Sequence, residues 1–389
     1  MTTVYHRELA GRGFHVLIIG VGHYPYCGPR ARDEDDTARE TEDLTSAPAT
    51  ALAMTRWFLD LASQGGAPDG GEDVPVASVE LALSAEAPAH LDGMEIERAT
   101  LAGVTASFDR WYARCDSPDS IAILYFCGHG LAVDSMQQLL LLEDFSSNAL
   151  RPYENTVDFG GTYLNMESCA ARTQLFFLDT CRGRLAGPGA RTRVRATTLV
   201  EHKGTPPART SAPVIHATAL GAAAFGLRGR PTHFSAAVRD ALGGLAATNH
   251  DDDAVWRVYA DGLGPAVGHL MRWHADGSHA PAQHVSITGD TLMGDSNLIR
   301  VPPVLPPVPF RLGSSPPEAV ADAELTLTDP RTSLTAARRT PEPGPWAGQL
   351  PAAYYDLRAH FPDGAWSDTT AGAACMPPCL RRTVPVSRP

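Results

Sequence analysis

Along the chain, unbroken apolar runs of strand length alternate with segments in which apolar residues recur every three or four positions. "FHVLIIG" (14–20) is such a run, closed by a glycine, and predicts a buried strand. "PATALAMTRWFLDLAS" (48–63) has helical spacing, and "SVELALS" (78–84) alternates like a short strand. "EIERATLAGVTASFDRWYARC" predicts an amphipathic helix over 95–115, with Leu101, Val104, Phe108, Trp111 and Tyr112 near one face. "SIAILYFCGHG" (120–130) is a second buried strand, "QQLLLLEDF" (137–145) a returning one, and "QLFFLD" (174–179) a third buried strand after a short helix near 162–172. Two further strands, 212–219 and 283–289, flank helices at 233–247 and 254–274.

Continuous apolar strands interleaved with amphipathic helices imply a mainly parallel α/β sheet of about six strands, covered on both faces. In open sheets of this kind, chemistry gathers where strands end at their carboxyl edge. "YFCGHG" and "FFLDTC" both put a reactive side chain there. The pattern changes at about 301. Residues 1–300 form the α/β domain, 301–309 a proline-rich spacer, and 310–389 a small β-sandwich-like domain with strand alternation and turn signals but no helical period.

Composition narrows the function. The 389 residues carry a formal charge of −12, which argues against a nucleic-acid partner because phosphate contacts need a basic surface. Seven cysteines at irregular spacings make no disulfide framework and fit a reducing compartment. The first apolar run is too short for a signal peptide or a membrane span, so a cytoplasmic protein with no membrane association is expected.

His129 lies 52 positions before Cys181 (181 − 129), each beyond a buried strand and each near glycine. A thiol nucleophile needs an imidazole to move its proton and amide donors for the developing oxyanion. Glycine at such a place allows close backbone approach. Other candidates are weaker. His23 and Cys27 sit four residues apart on one loop, with no second strand. "GVG" (20–22) lacks the third glycine of a dinucleotide loop. "CMPPC" (375–379) lacks a second cysteine pair for zinc. Cys115, Cys127 and Cys169 lie in or beside apolar segments and read as core.

"YFCGHG" followed by "DTCRG" resembles the caspase and metacaspase superfamily of cysteine peptidases, whose histidine precedes the cysteine by about 50 residues. The likeness extends over roughly residues 12–300. It implies a caspase-like fold, Cys181 as nucleophile, His129 as general acid/base, and the N–H groups of Gly130 and Cys181 as the oxyanion hole. At the position of Asp179, caspases have glutamine and cut after aspartate, whereas metacaspases have aspartate and cut after arginine or lysine. Asp179 therefore implies a substrate pocket for a basic side chain, the competing reading being a turn cap or a pair with Arg182. The second pocket acid of metacaspases has no match in "DLTSAPATALAM", unless Asp43 or the run 33–43 replaces it. Calcium-site aspartates have no counterpart near 131–160, so no metal and no cofactor are expected.

The segment 182–210 holds six arginines and one lysine against one glutamate and reads as an exposed loop. In the family this stretch is commonly cut on activation, which implies self-processing near Arg191, Arg193 or Arg195. Expected partners are proteins with exposed Arg or Lys sites, and an activating protease or regulator engaging the C-terminal β-domain. The Ala-, Gly-, Arg- and Pro-rich composition suggests a bacterial source and, by resemblance, a defence or cell-death cascade. The alternatives are acyl transfer on small substrates by the same dyad, or a non-catalytic scaffold.

Overall fold

The computed structural model describes residues 2–9, 11–28, 36–64, 73–134, 137–184, 194–202, 204, 209–222, 228–249, 255–276, 283–290 and 298–389. The main elements begin with β1 (Thr3–His6), β2 (Gly13–Val21), α1 (Ser46–Ser63), β3 (Val76–Ser84) and α2 (Leu101–Cys115). Next come β4 (Ser120–Gly128), β5 (Gly130–Ala132), β6 (Gln138–Leu141), β7 (Thr156–Asp158) and α3 (Phe159–Asn165). Then follow β8 (Thr173–Thr180), β9 (Gly183–Arg184), β10 (Val214–His216), α4 (His233–Asp240), α5 (Ala260–Ala275) and β11 (Ser286–Thr288).

The apolar runs become one seven-stranded sheet in the order β1-β3-β2-β4-β8-β10-β11. Its five central strands are parallel, and β1 and β11 close the edges antiparallel. Every residue of β3, β4 and β8 is buried, which is why β4 and the middle of β8 are apolar without alternation, whereas β3 alternates because it also buries Ser78, Glu80 and Ser84. One face packs on α2 through Val104, Phe108 and Trp111, and the Trp111 indole N–H donates to the His15 carbonyl at 2.9 Å. On the other face Phe234 of α4 stacks on Tyr125 of β4 at 6.3 Å, and the Cys127 thiol of β4 donates to the Ala47 carbonyl of α1. A second, four-stranded sheet, β9-β5-β6-β7, stands at the carboxyl end of β4 and β8.

Several boundaries depart from the periodicity. The helix expected over 95–115 starts at Leu101, because Thr100 caps it by accepting the Gly103 N–H. Met94–Glu95 instead pairs as a short strand with His90–Leu91. The helix near 162–172 is α3, begun earlier by the Asp158 cap and ended in a 3-10 turn over Met166–Ser168. The helix expected at 254–274 begins at Ala260, after the short strand Arg257–Tyr259. In the acidic stretch 30–43, Asp36–Glu40 forms a helical turn and residues 30–35 fall outside the described residues.

The chain divides into two compact units, 1–239 with 259–300, and 240–258 with 301–389. The second unit holds β12 (Val308–Ser315), β13 (Glu324–Thr328), β14 (Thr335–Arg339), β15 (Trp346–Leu350), β16 (Ala353–His360), β17 (Thr369–Cys375) and β18 (Leu380–Pro385). They form two sheets, β15-β12-β18 and β14-β13-β16-β17. Val308 and Pro309, read as spacer, are already strand residues. Phe310 and Trp346 meet edge to face at 5.1 Å, and Gly348 leaves room for Phe310, whose ring a Cβ there would meet at 2.7 Å.

Candidate active site

Register explains the spacing of the two reactive residues. β8 and β4 pair in parallel from Thr173 opposite Ile121 to Thr180 opposite Gly128, an offset of 52 throughout (180 − 128). The same offset resumes where β9 pairs with β5, Gly183 opposite Leu131 (183 − 131). His129 and Cys181 fall between these pairings with the same offset, so they sit level on neighbouring strand ends. Their backbones are thus roughly 5 Å apart, the spacing of adjacent strands. The Cys181 thiol lies where the strand emerges and is half-buried.

The His129 side chain is fixed from two sides. Its ring packs on Tyr24 with centroids 5.0 Å apart, and its backbone N–H donates to the Tyr24 hydroxyl at 2.9 Å. Its Nε2 lies 2.8 Å from the Glu42 carbonyl. A carbonyl only accepts, so Nε2 carries the proton and Nδ1 keeps its lone pair in the neutral ring. Burial lowers the His129 pKa, with the Glu42 carbonyl and the charges of Asp43 and Glu42 opposing that shift. The imidazole is therefore held in its basic form.

Asp179 points to the face that carries Tyr125. Its exposure is 6%, and its Oδ2 accepts from the Tyr125 hydroxyl at 2.8 Å and from the Thr232 hydroxyl. Thr232 also caps α4, accepting the Ser235 N–H at 3.1 Å. Burial raises the Asp179 pKa to about 6, against the two hydroxyl bonds. Among the described residues no basic side chain contributes to that balance. The pairing with Arg182 that the sequence left open is not formed, because Arg182 projects to the opposite face. There it shares a cavity lining with Gln138, which donates to the Thr180 hydroxyl. Alternation thus assigns Asp179 to one side of the strand and Thr180 and Arg182 to the other.

Gly130 sits against the nucleophile's main chain. A Cβ there would come within 2.8 Å of Thr180 Oγ1 and 3.0 Å of the Cys181 carbonyl. Leu141 donates to the His129 carbonyl at 3.0 Å, which makes Gly130 and Leu140 a non-hydrogen-bonded pair. The Gly130 N–H is therefore not spent on β6.

The other candidates resolve on contacts. His23 bonds Asp43 rather than Cys27, and Cys27 is buried with its thiol pushed up to about 12. Asp43 is committed to that same loop, accepting from the Tyr24 N–H at 2.7 Å. Cys115 and Cys169 are buried, 3.9 Å apart at sulfur. Of the segment 182–210, residues 185–193, 203 and 205–208 fall outside the described residues, with Arg191, Arg193 and Lys203 among them. The reading of the whole segment as an exposed loop does not hold. Thr197 pairs with Val157, and Leu199 is buried with its N–H bonded to Thr162, while Arg195 is exposed. Among the described residues no cluster of His, Cys, Asp or Glu is placed to hold a metal, and no helix is long and apolar enough to cross a membrane.

Four contributors were not named from the sequence: Tyr24, Tyr125, Thr232 and the Glu42 carbonyl. Tyr125 was accessible in principle, since it lies four positions before His129 on a strand of period two. Thr232 carried only a helix-cap signal. The Glu42 carbonyl had none, because any residue supplies one.

The caspase domain family model matches residues 14–258, and the chain belongs to that family. The chain is 23% identical over 269 residues to the uncharacterized protein y4kE of Sinorhizobium fredii, spanning 63% of this chain and 73% of that one. Among solved structures it is similar to caspase-1 from Spodoptera frugiperda, at 11% identity and a TM-score of 0.40, over 77% of this chain and 98% of that one. The fold assignment rests on the sheet itself and on the family match: a caspase-like α/β domain with a mainly parallel sheet, followed by additional β-sheets.

Proposed function

We propose that the chain is a cysteine endopeptidase that cuts after arginine or lysine. The observation that carries this reading is the constant offset of 52, which sets His129 level with Cys181. His129 Nδ1 takes the Cys181 proton, and the thiolate attacks the scissile carbonyl carbon. The N–H groups of Gly130 and Cys181 stabilise the oxyanion. The imidazolium returns its proton to the leaving amine, and water then hydrolyses the thioester with His129 again as base. Asp179 meets the guanidinium or ammonium of the residue before the cut, a charge-assisted contact for a carboxylate with no cation of its own.

The basic segment after Cys181 is the nearest substrate, tethered at a high effective concentration. With Thr197 and Leu199 anchored, self-cleavage belongs between 185 and 195. Protein substrates with exposed basic sites follow from the same pocket. A role in a bacterial defence or death cascade, in the cytoplasm, with the C-terminal β-domain receiving the regulator, completes the proposal.

Hydrolysis of an arginyl fluorogenic peptide by the wild type and by Cys181→Ala tests it. Turnover by the wild type alone supports the reading. No turnover by either, with the loop both intact and cleaved, favours a scaffold. Mass spectrometry of the same two proteins locates the cut, expected in the wild type only.

A further inference from the structure

Behind the strand that carries Cys181 lies a cavity of about 530 Å³, a volume typical of small-molecule sites. The Arg182 side chain lines it, 5% exposed, with its Nε buried and without a hydrogen-bond partner. Burial lowers its pKa, and among the described residues no acidic side chain opposes that shift. The acids that line the cavity have partners of their own: Asp134 accepts from the Gln137 N–H at 2.8 Å. Asp158 accepts from Gly161 N–H and Gln137 Nε2, and Glu167 and Asp290 both pair with Arg209. Two more buried polar atoms lack partners at the same lining, His216 Nδ1 and Gln138 Oε1. His216 is neutral, its pKa lowered to about 3 by burial and by the Arg182 charge, and its Nε2 meets the Thr288 hydroxyl at 3.0 Å. Phe159, Tyr163 and Val214 supply an apolar wall.

We propose that this cavity binds a small organic anion, a carboxylate or phosphate monoester carried on an apolar or aromatic body. The planar guanidinium of Arg182 takes two anionic oxygens side by side, a geometry that suits both groups. His216 Nδ1 donates to the same anion in the tautomer whose Nε2 accepts from Thr288. The aromatic wall receives the body of the ligand, and Gln138 Oε1 accepts a donor from it. The site is separate from the Asp179 face, since Arg182 and Asp179 project to opposite sides of the strand. It is nevertheless fastened to the nucleophile's segment: the Arg182 N–H donates to the Ala222 carbonyl, and its own carbonyl accepts from Gly221. Any effect of the ligand on peptide cleavage rests on the proposed function. Binding itself does not.

The test uses full-length Cys181→Ala, which cannot process itself by that thiol, titrated calorimetrically with benzoate, phenyl phosphate and inorganic phosphate. At least one aromatic anion should bind saturably at one site, 10-fold or more tighter than inorganic phosphate. Adding Arg182→Met should weaken that binding 10-fold or more, whereas adding Asp179→Asn should leave it unchanged. Without ligand, Arg182→Met should melt higher than its parent, because a buried cation without a counter-ion has been removed. The proposal is overturned if neither aromatic anion saturates, or if Arg182→Met binds as its parent does. A lower melting point or failure to fold in Arg182→Met would also overturn it, by assigning the guanidinium to the fold.

Discussion

The two faces of the strand that ends at Cys181 carry opposite charges that never meet. On one, Asp179 is buried with two hydroxyl donors and, among the described residues, no cation; on the other, Arg182 is buried with no anion among the described residues. They lie three positions apart in sequence (182 − 179), close enough to suggest an ion pair. The period of two in an extended chain makes an odd separation a change of face. Each charge is left at a cost that a partner of opposite sign would offset. The comparison teaches that neutrality along a short sequence is no guide to neutrality at a site. It also separates two recognition events around one nucleophile, a basic side chain in front and an organic anion behind.

The largest effect is expected from the residues between the two faces. Cys181→Ala should reduce peptide hydrolysis to background, and His129→Ala should lower it by about 10²–10⁴, the usual range for a general acid–base group. Near-native rates from His129→Ala would detach the imidazole from the chemistry.

On the front face, Asp179→Asn keeps both hydroxyl acceptor contacts and removes the charge. It should lower kcat/KM on arginyl peptides by about 10-fold or more. With its pKa raised to about 6, Asp179 is ionised only above that pH, so wild-type kcat/KM should rise through pH 6. Burial moves the His129 limb below the ordinary imidazole value. Asp179→Asn should lose the limb near pH 6. Stability runs the other way. The folded pKa of Asp179 lies above its ordinary 3.8, so the fold holds this proton more tightly than the unfolded chain. That contribution is complete below about pH 4 and lost as the pH rises to about 6, an effect of the order of 3 kcal/mol. Relative to wild type, Asp179→Asn should therefore be more stable at pH 7.5 than at pH 4.5, as thermal melts at the two pH values would reveal.

On the back face the change is smaller. Arg182→Met should raise the melting temperature by about 2–4 °C, for roughly 1 kcal/mol in a domain of this size. A smaller effect again is expected beside His129. Tyr24→Phe removes the acceptor of the His129 N–H, and about 1 kcal/mol of lost hydrogen bonding corresponds to roughly a 5-fold drop in kcat. An unchanged kcat with a raised KM would place Tyr24 on the substrate side instead.

The sheet was legible because β2, β4 and β8 are buried on both faces and so read as continuous apolar runs. The spacing of His129 and Cys181 was legible for the same reason, although its meaning as a register offset needed the pairing itself. Helix starts were poorly marked where a cap overrides periodicity, as at Thr100, and where a strand directly precedes a helix, as at Arg257–Tyr259. Of the second sheet, β9-β5-β6-β7, only β6 was legible, in the run at 137–145; the other three strands have two or three residues, too short for any period to register. Arg182 read as the start of a solvated basic loop because composition says nothing about which face a single residue takes. The Glu42 carbonyl is a backbone group, so no side chain announced it.

The most direct measurement compares kcat/KM for fluorogenic peptides identical except for arginine, norleucine or aspartate before the scissile bond, in wild type and Asp179→Asn. The wild type should prefer arginine over norleucine by 10-fold or more and reject aspartate, and Asp179→Asn should erase the arginine preference while still cutting norleucine. A wild type that prefers aspartate, or an arginine preference that survives in Asp179→Asn, would contradict the proposed specificity.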